Sequence, residues 1–119
     1  MSYDDHTISI SDLDDGLVLV EAISEIDASS APELQRDLLS VLADGRDRVL
    51  LDLSAVTYLD SSGVGAVVAA YAETRERGAR LAVVGGDGHA AKRFRVMGLD
   101  ALLEPVRSRE EARERLTGG

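Results

Sequence analysis

A buried strand that runs into a helix through two serines constrains the fold of this chain more than any other feature. Residues 49–53 are apolar and β-prone, and residues 64–74 have a helical pattern. Between them lies the run Asp60-Ser61-Ser62-Gly63-Val64-Gly65. We predict Ser61 or Ser62 as the N-cap of the helix, because a side-chain oxygen there satisfies backbone N–H groups that lack helical partners. The positive end of the helix dipole also favours an anion such as a phosphate at this junction.

Strands and helices alternate along the rest of the chain. The strands are predicted over residues 7–10, 17–23, 49–53, 81–84 and 102–106, and the helices over residues 30–43, 62–77, 90–97 and from 108 onwards. Ser30 with Glu33 and Ser108 with Glu111 have the spacing of capping boxes. This order predicts an α/β domain whose central sheet is mostly parallel, with about five strands, an antiparallel N-terminal pair and about four helices. Functional residues are then expected beyond the carboxyl ends of the strands.

The composition limits the chain to one domain and disfavours several classes of partner. Its 119 residues, 45% of them hydrophobic, suffice for one aliphatic core over residues 7–117, with residues 1–6 expected as a mobile tail. A net charge of −9, one Phe, three Tyr and no Trp disfavour nucleic acid as a direct partner. Cysteine is absent, which removes disulfides and thiolate chemistry. With no signal peptide and no membrane-spanning run in the sequence, we expect a cytoplasmic protein without a membrane partner.

The Asp-Ser-Ser-Gly-Val-Gly run behind an apolar strand resembles the signature of a bacterial family, the STAS-domain anti-sigma factor antagonists. Two further segments carry the resemblance. Ser24-Glu25-Ile26-Asp27 is similar to the family's Gly-Glu-(Ile/Leu)-Asp turn, and residues 91–99 are similar to its third helix and the Gly-Leu that follows. The blocks have the family's order and spacing over about residues 8–117. Ser24 replaces the usual glycine. This replacement affects the backbone conformation expected for the turn, because only glycine freely takes positive φ.

The resemblance implies a phosphorylated regulator and not an enzyme. In the family, the partner anti-sigma factor is a serine kinase that phosphorylates the serine directly after the aspartate, here Ser61, with Ser62 as the second choice. The unphosphorylated chain would bind the anti-sigma factor and free the sigma factor, and a serine phosphatase would reverse the modification. ATP and Mg²⁺ would belong to the kinase, so no cofactor is expected here. The alternative is a small-molecule-binding or transport-associated STAS domain, which the retention of both serines disfavours.

The residues expected to contact the partner each have a purely structural alternative; they are Asp27, Glu25, Asp60, Ser62, Gly63 and Gly65. Asp60 either orients the Ser61 hydroxyl or stabilises the helix start. Asp27 either belongs to the recognition surface or caps backbone groups of Ser29 and Ser30. Each glycine costs a helix up to about 1 kcal/mol relative to alanine. That cost indicates a close approach, either by a neighbouring segment of the chain or by the partner.

Three further patterns carry less information. Residues 86–91 match the dinucleotide pattern G-x-G-x-x-A, but Val106-Arg107 stands where the acidic residue is expected, so this function is disfavoured. Lys92, Arg93 and Arg95 form the densest basic patch, which we interpret as the solvated half of a helix. His6 and His89 lack further ligands nearby in sequence, and no metal site is predicted.

Overall fold

The computed structural model describes residues 7–118, so the tail predicted over residues 1–6 lies outside the described residues. The strands are β1 (Ile8–Asp12), β2 (Val18–Ile26), β3 (Arg48–Leu59) and β4 (Arg80–Val84). The helices are α1 (Ala31–Ala43), α2 (Ser61–Arg77), α3 (His89–Val96), α4 (Asp100–Leu103) and α5 (Arg109–Thr117). Within residues 7–118, no helix combines the length and the apolar character that crossing a bilayer requires.

The sheet has the order β1-β2-β3-β4. β1 pairs antiparallel with β2, and the other neighbours are parallel, which confirms the predicted mixed α/β fold. The strand predicted over residues 102–106 is not formed in the described chain: Val106 makes one bridge to Val84, and α4 lies before it. Glu104 ends α4 in a left-handed conformation, and Pro105 has no N–H to extend a ladder. The described chain therefore has four strands and a fifth, short helix.

Two apolar layers cover the two faces of the sheet. Successive residues of β2, β3 and β4 point to opposite faces, and both faces of this parallel part of the sheet are covered. One face packs against α1, α2 and the fully buried Phe94 of α3 through a cluster that includes Val18, Val20, Val49, Leu51 and Val83. The opposite face packs against Ala112 and Leu116 of α5 through Leu17, Leu19, Leu50, Ala82 and Val84. The two layers together hold the carboxyl ends of the strands at one edge of the molecule.

The two predicted capping boxes have different outcomes. At α5 the first half of the box is formed, since the Ser108 hydroxyl accepts a hydrogen bond from the Glu111 N–H at 3.1 Å. The Glu111 carboxylate reaches back to the N–H of Arg107, one residue before the N-cap, at 2.9 Å instead of to that of Ser108. At α1 the capping box is not formed. The Ser30 hydroxyl instead accepts a hydrogen bond from the Asp27 N–H at 3.0 Å, so it belongs to the turn that precedes the helix.

A buried carboxylate attaches α5 to the sheet. Asp52 accepts a hydrogen bond from Arg109 Nε at 2.6 Å and from the N–H and hydroxyl of Ser54 at 2.9 and 2.7 Å. Arg109 also contacts Glu21 at 3.0 Å. Burial raises the pKa of Asp52, but the hydrogen bonds from Ser54 and Arg109 outweigh it, so the pKa is lowered overall. The stabilisation is therefore present at neutral pH and is lost only as the pH falls through this lowered pKa.

β2 and β3 extend beyond the rest of the sheet. β1 begins at Ile8, opposite Ala22, and β4 ends at Val84, opposite Asp52. The pairing of β2 with β3 continues beyond both, to Ile26 and Leu59. Two register shifts along this stretch show that β3 uses two more residues than β2. Such bulges bend a strand and change where its side chains point. Ser24, within this irregular stretch, has a φ of 64°. The serine therefore adopts a conformation that glycine, the usual residue of the family that the sequence resembles, takes freely.

Replacing Ser24 with glycine is expected to stabilise the fold. A left-handed conformation costs an L-residue about 1–2 kcal/mol, and glycine loses about 0.5–1 kcal/mol through its unfolded-state freedom, which leaves a net gain of roughly 0.5–1 kcal/mol. Denaturant unfolding of Ser24→Gly measures the gain. Ser9→Gly is the matched control, because Ser9 is an exposed strand serine without positive φ and should lose about 0.5–1 kcal/mol. Equal losses in both variants would contradict the strain at Ser24.

Candidate functional site

The junction between β3 and α2 begins with Asp60, which is the N-cap of the helix. Its backbone is extended, with φ −92° and ψ −175°, and its Oδ1 accepts a hydrogen bond from the Gly63 N–H at 3.0 Å. The prediction that Ser61 or Ser62 is the N-cap is therefore wrong. An aspartate caps as well as a serine, and capping by Asp60 makes both serines part of the first helical turn. Of the two alternatives for Asp60, the geometry shows the stabilisation of the helix start.

Ser61 and Ser62 are both exposed at the first two positions of α2. Neither hydroxyl is hydrogen-bonded to another residue within residues 7–118, because Asp60 performs the capping. The backbone N–H groups of this first turn point along the helix axis, where they favour an anion. The junction therefore presents two unengaged hydroxyls at a place that tolerates a phosphate.

The two glycines of the motif have different surroundings. A Cβ on the buried Gly63 would lie 2.5 Å from Leu59 Cδ1, 2.9 Å from Ile26 Cγ2 and 3.1 Å from the Ile26 carbonyl oxygen. Gly63 is thus explained by packing against the ends of β2 and β3. Gly65 is exposed, and apart from the backbone of α2 itself and the adjoining residues, a Cβ there would find no atom of residues 7–118 within 4 Å. The packing alternative therefore holds for Gly63 and leaves Gly65 without a structural explanation.

The turn after β2 lies beside this junction. Ile26 and Leu59 are register partners, and the Asp60 N–H donates to the Ile26 carbonyl at 3.2 Å. Asp27 follows directly, and its Oδ1 accepts hydrogen bonds from the Ser29 hydroxyl at 2.7 Å, the Ser29 N–H at 3.0 Å and the Ser30 N–H at 3.3 Å. These bonds, led by the Ser29 hydroxyl, lower the pKa of Asp27. Asp27 therefore caps the turn, and it does so as a charged carboxylate.

Glu25 and Tyr58 form the other side of the site. They are register partners, and both are exposed. The Tyr58 ring lies 5.5 Å from the imidazole of His89, whose Nε2 is 3.4 Å from the Leu59 carbonyl oxygen. The sequence predicts no role for Tyr58, and it brings His89 to attention only as a metal ligand and as part of the pattern at residues 86–91. The available signal was an aromatic residue directly before Leu59-Asp60 in a chain with few aromatic residues.

The remaining motifs lie around a cleft of about 500 Å³ between α3 and residues 104–107. Lys92, Arg95 and Arg107 line it together with three carboxylates, Asp87, Asp100 and Glu104. Arg107 and Asp87 form an ion pair at 3.5 Å. The carboxylates offset the cations, so the loop at residues 86–88 lacks the net positive environment that a dinucleotide diphosphate favours. Among residues 7–118, no three acidic or histidine side chains are grouped to hold a metal ion; His6 lies outside this range.

The chain as a whole is similar to proteins of one family. A model of the STAS domain matches residues 11–112. The anti-sigma-B factor antagonist of Listeria monocytogenes is 31% identical over 99 residues, which cover 82% of this chain and 86% of that protein. The crystal structure of an anti-sigma factor antagonist from Mycobacterium paratuberculosis matches with a TM-score of 0.84 and 27% identity over 92% of both chains.

A third match, to the Bacillus cell fate determinant SpoIIAA in its phosphorylated form, has a TM-score of 0.70 at 19% identity over 91% of this chain and 97% of that one, and supports the fold alone. The fold and the site define a STAS domain. The chain belongs to the STAS-domain family of anti-sigma factor antagonists, which confirms the predicted resemblance. This family is non-enzymatic, in agreement with the prediction that the chain is not an enzyme.

Alanine at the two motif glycines is expected to have opposite effects on stability. Gly63→Ala introduces a methyl group into a space bounded by Leu59 and by the Ile26 backbone, and overpacking of this kind costs about 1–3 kcal/mol. Gly65→Ala adds a methyl group in open space and should gain up to about 1 kcal/mol of helix stability. Thermal and denaturant unfolding measure both variants. A destabilised Gly65→Ala variant would show that Gly65 has a structural role after all.

Proposed function

We propose that this chain controls an anti-sigma factor that is a serine kinase. The chain binds it through the edge of the sheet where β2 and β3 have their carboxyl ends, and phosphorylation of Ser61 ends the binding. The observation that carries the proposal is the exposed, unengaged Ser61 hydroxyl at the first position of α2, directly after the Asp60 cap. A serine phosphatase returns the chain to its binding state. The circuit operates in the cytoplasm and requires neither a cofactor in this chain nor direct contact with nucleic acid or a membrane.

Ser61 is the first choice and Ser62 the second for the modified residue. The assignment rests on the family position directly after the aspartate, and a feature of α2 supports it. Gly65 follows Ser61 by four residues, so the two lie on the same helix face. The missing side chain of Gly65 leaves the surface behind the Ser61 hydroxyl open to a close approach by the kinase.

The charges around Ser61 explain why a phosphate would change binding without changing the fold. Glu25, Asp27 and Asp60 lie at this edge, and none of them forms an ion pair with another residue among residues 7–118. A phosphate adds a charge of about −1.5 to −2 to this acidic edge. The N-terminus of α2 tolerates the added charge, whereas an interface formed around it has to bury like charges together, which is costly.

The assignment to Ser61 is tested by phosphate transfer. The chain is incubated with ATP and, in turn, with each candidate anti-sigma factor of the serine-kinase type that its own genome encodes. Any phosphate on the chain is then mapped by mass spectrometry. Ser61→Ala should abolish labelling because the accepting hydroxyl is gone, whereas Ser62→Ala, the matched control one residue away, should retain a measurable rate. Labelling that persists in Ser61→Ala and vanishes in Ser62→Ala would reverse the assignment.

The same reaction supplies phosphorylated chain for binding measurements. Calorimetry against the kinase that labelled it should show weaker binding than for the unmodified chain, and far-ultraviolet circular dichroism should be unchanged. Equal affinity of both forms would remove the switch. A loss of helical signal would instead show that the phosphate unfolds the chain.

Substitutions of Asp27 test whether the negative charge of this edge of the sheet contributes to binding of the anti-sigma factor. The hydrogen bonds that Asp27 accepts within residues 7–118 all use Oδ1, so a substitution that keeps an oxygen there should preserve the turn. Asp27→Asn should weaken partner binding while the melting temperature changes little. Asp27→Ala should weaken binding and also lower the melting temperature by a few degrees, because the cap of the turn is lost. Unchanged affinity in Asp27→Asn would limit Asp27 to its role in the turn.

A further inference from the structure

The extension of β2 and β3 beyond the rest of the sheet is covered on only one of its faces. Ile26 and Leu59 pack beneath the first turn of α2. On the opposite face, the covering helix α5 begins at Arg109, whose guanidinium contacts Glu21 and Asp52. Beyond that point, the register pairs Ile23 with Ala55 and Glu25 with Tyr58 on the uncovered face, and all four residues are exposed. We name these four residues the bare face.

The bare face contains two of the large apolar side chains that the fold leaves in solvent. Ile23 is 40% exposed and Tyr58 is 47% exposed. The Tyr58 ring packs against the imidazole of His89, with 5.5 Å between the ring centres, and this contact favours one orientation of the ring. An aromatic side chain that is already oriented loses little conformational freedom on binding, and tyrosine is enriched among the residues that dominate interface energies.

The bare face is continuous with the site around Ser61. Leu59 and Asp60 directly link Tyr58 to Ser61 along the chain, and Ile26 links Glu25 to Asp27. The face therefore shares the uncompensated negative charge of this edge. An apolar centre bordered by carboxylates fits a partner that presents an apolar pocket with basic residues around it.

We infer that the bare face is part of the surface that the anti-sigma factor covers, with Tyr58 as its central contact and Glu25 meeting a basic residue of the partner. The inference rests on the proposed function, since it names the occupant of the same site. It extends the docking surface from the serine motif onto the sheet. The kinase therefore recognises its substrate by a folded surface in addition to the sequence around Ser61.

The test places a positive charge on the bare face. Ile23→Lys and Tyr58→Lys are compared with the unchanged chain by calorimetry against the anti-sigma factor that phosphorylates it. Each variant should weaken binding by at least about tenfold, because a lysine has to be buried in an apolar pocket next to basic residues. Val96→Lys is the matched control: Val96 is 79% exposed on α3, outside the bare face, and its replacement adds the same charge. Its affinity should equal that of the unchanged chain.

The other possible outcomes of this test separate failure of the inference from failure of the proposed function. If Ile23→Lys and Tyr58→Lys bind normally while the chain phosphorylated on Ser61 does not, the bare face is not covered and the inference is overturned, although the proposed function stands. If the unchanged chain binds none of the candidate kinases, both fail together. A concentration-dependent dimer in sedimentation that Ile23→Lys dissociates would assign the face to a second copy of the chain and also overturn the inference. If Tyr58→Lys lowers the melting temperature because the contact with His89 is lost, the affinity of Ile23→Lys decides whether the bare face is covered.

Discussion

The approach of the first turn of α2 to the ends of β2 and β3 is the contact on which the rest of the site depends. Gly63 fits against Leu59 and the Ile26 carbonyl with no room for a side chain, and the Asp60 N–H donates to that same carbonyl. The first contact sets the height of the helix above the sheet, and the second fixes where the strand ends. Together they direct the Ser61 and Ser62 hydroxyls outward and bring the Asp27 turn alongside. Close packing of this kind resists deformation, so the geometry of the site is fixed before any partner binds.

The carboxylates of the molecule have two different environments. Asp52 is buried, and Arg109 and Ser54 satisfy it, so its charge is balanced and contributes to the attachment of α5. Asp27 and Asp60 instead accept hydrogen bonds from backbone N–H groups, which stabilise a turn and a helix start without neutralising the charge. Their structural and electrostatic roles are therefore compatible: each holds the local backbone and still contributes negative charge to the surface. The alternatives of cap and recognition residue do not exclude each other at these positions.

Most of the architecture was predictable from the sequence, because a helix or a strand is indicated by an apolar run within it and by capping residues next to it. The failures arise where tertiary contacts compete with local pattern. Ser30 matches a capping box, but its hydroxyl is used by the Asp27 N–H. Residues 102–106 have an apolar strand-like composition, but Pro105 and the left-handed Glu104 prevent a ladder. The bulges of β3 shift the alternation of its last residues, so no period-two pattern could show that Tyr58 is exposed while Leu59 is buried.

The same distribution of interactions explains how the phosphorylation proposed for Ser61 would weaken binding without a change of fold. The charge of a phosphate on Ser61 is screened over roughly 8 Å at physiological ionic strength, so it acts mainly on the Asp60 and Asp27 carboxylates and on whatever covers them. The apolar layers that hold the fold together lie between the sheet and the helices on its two faces, away from solvent. In the free chain, water solvates the added charge, and the N–H groups of α2 offset part of it. In a complex, the partner removes that water, so the same charge costs far more when the edge is covered than when it is free. The energy of the proposed switch would therefore reside in the interface and not in the fold.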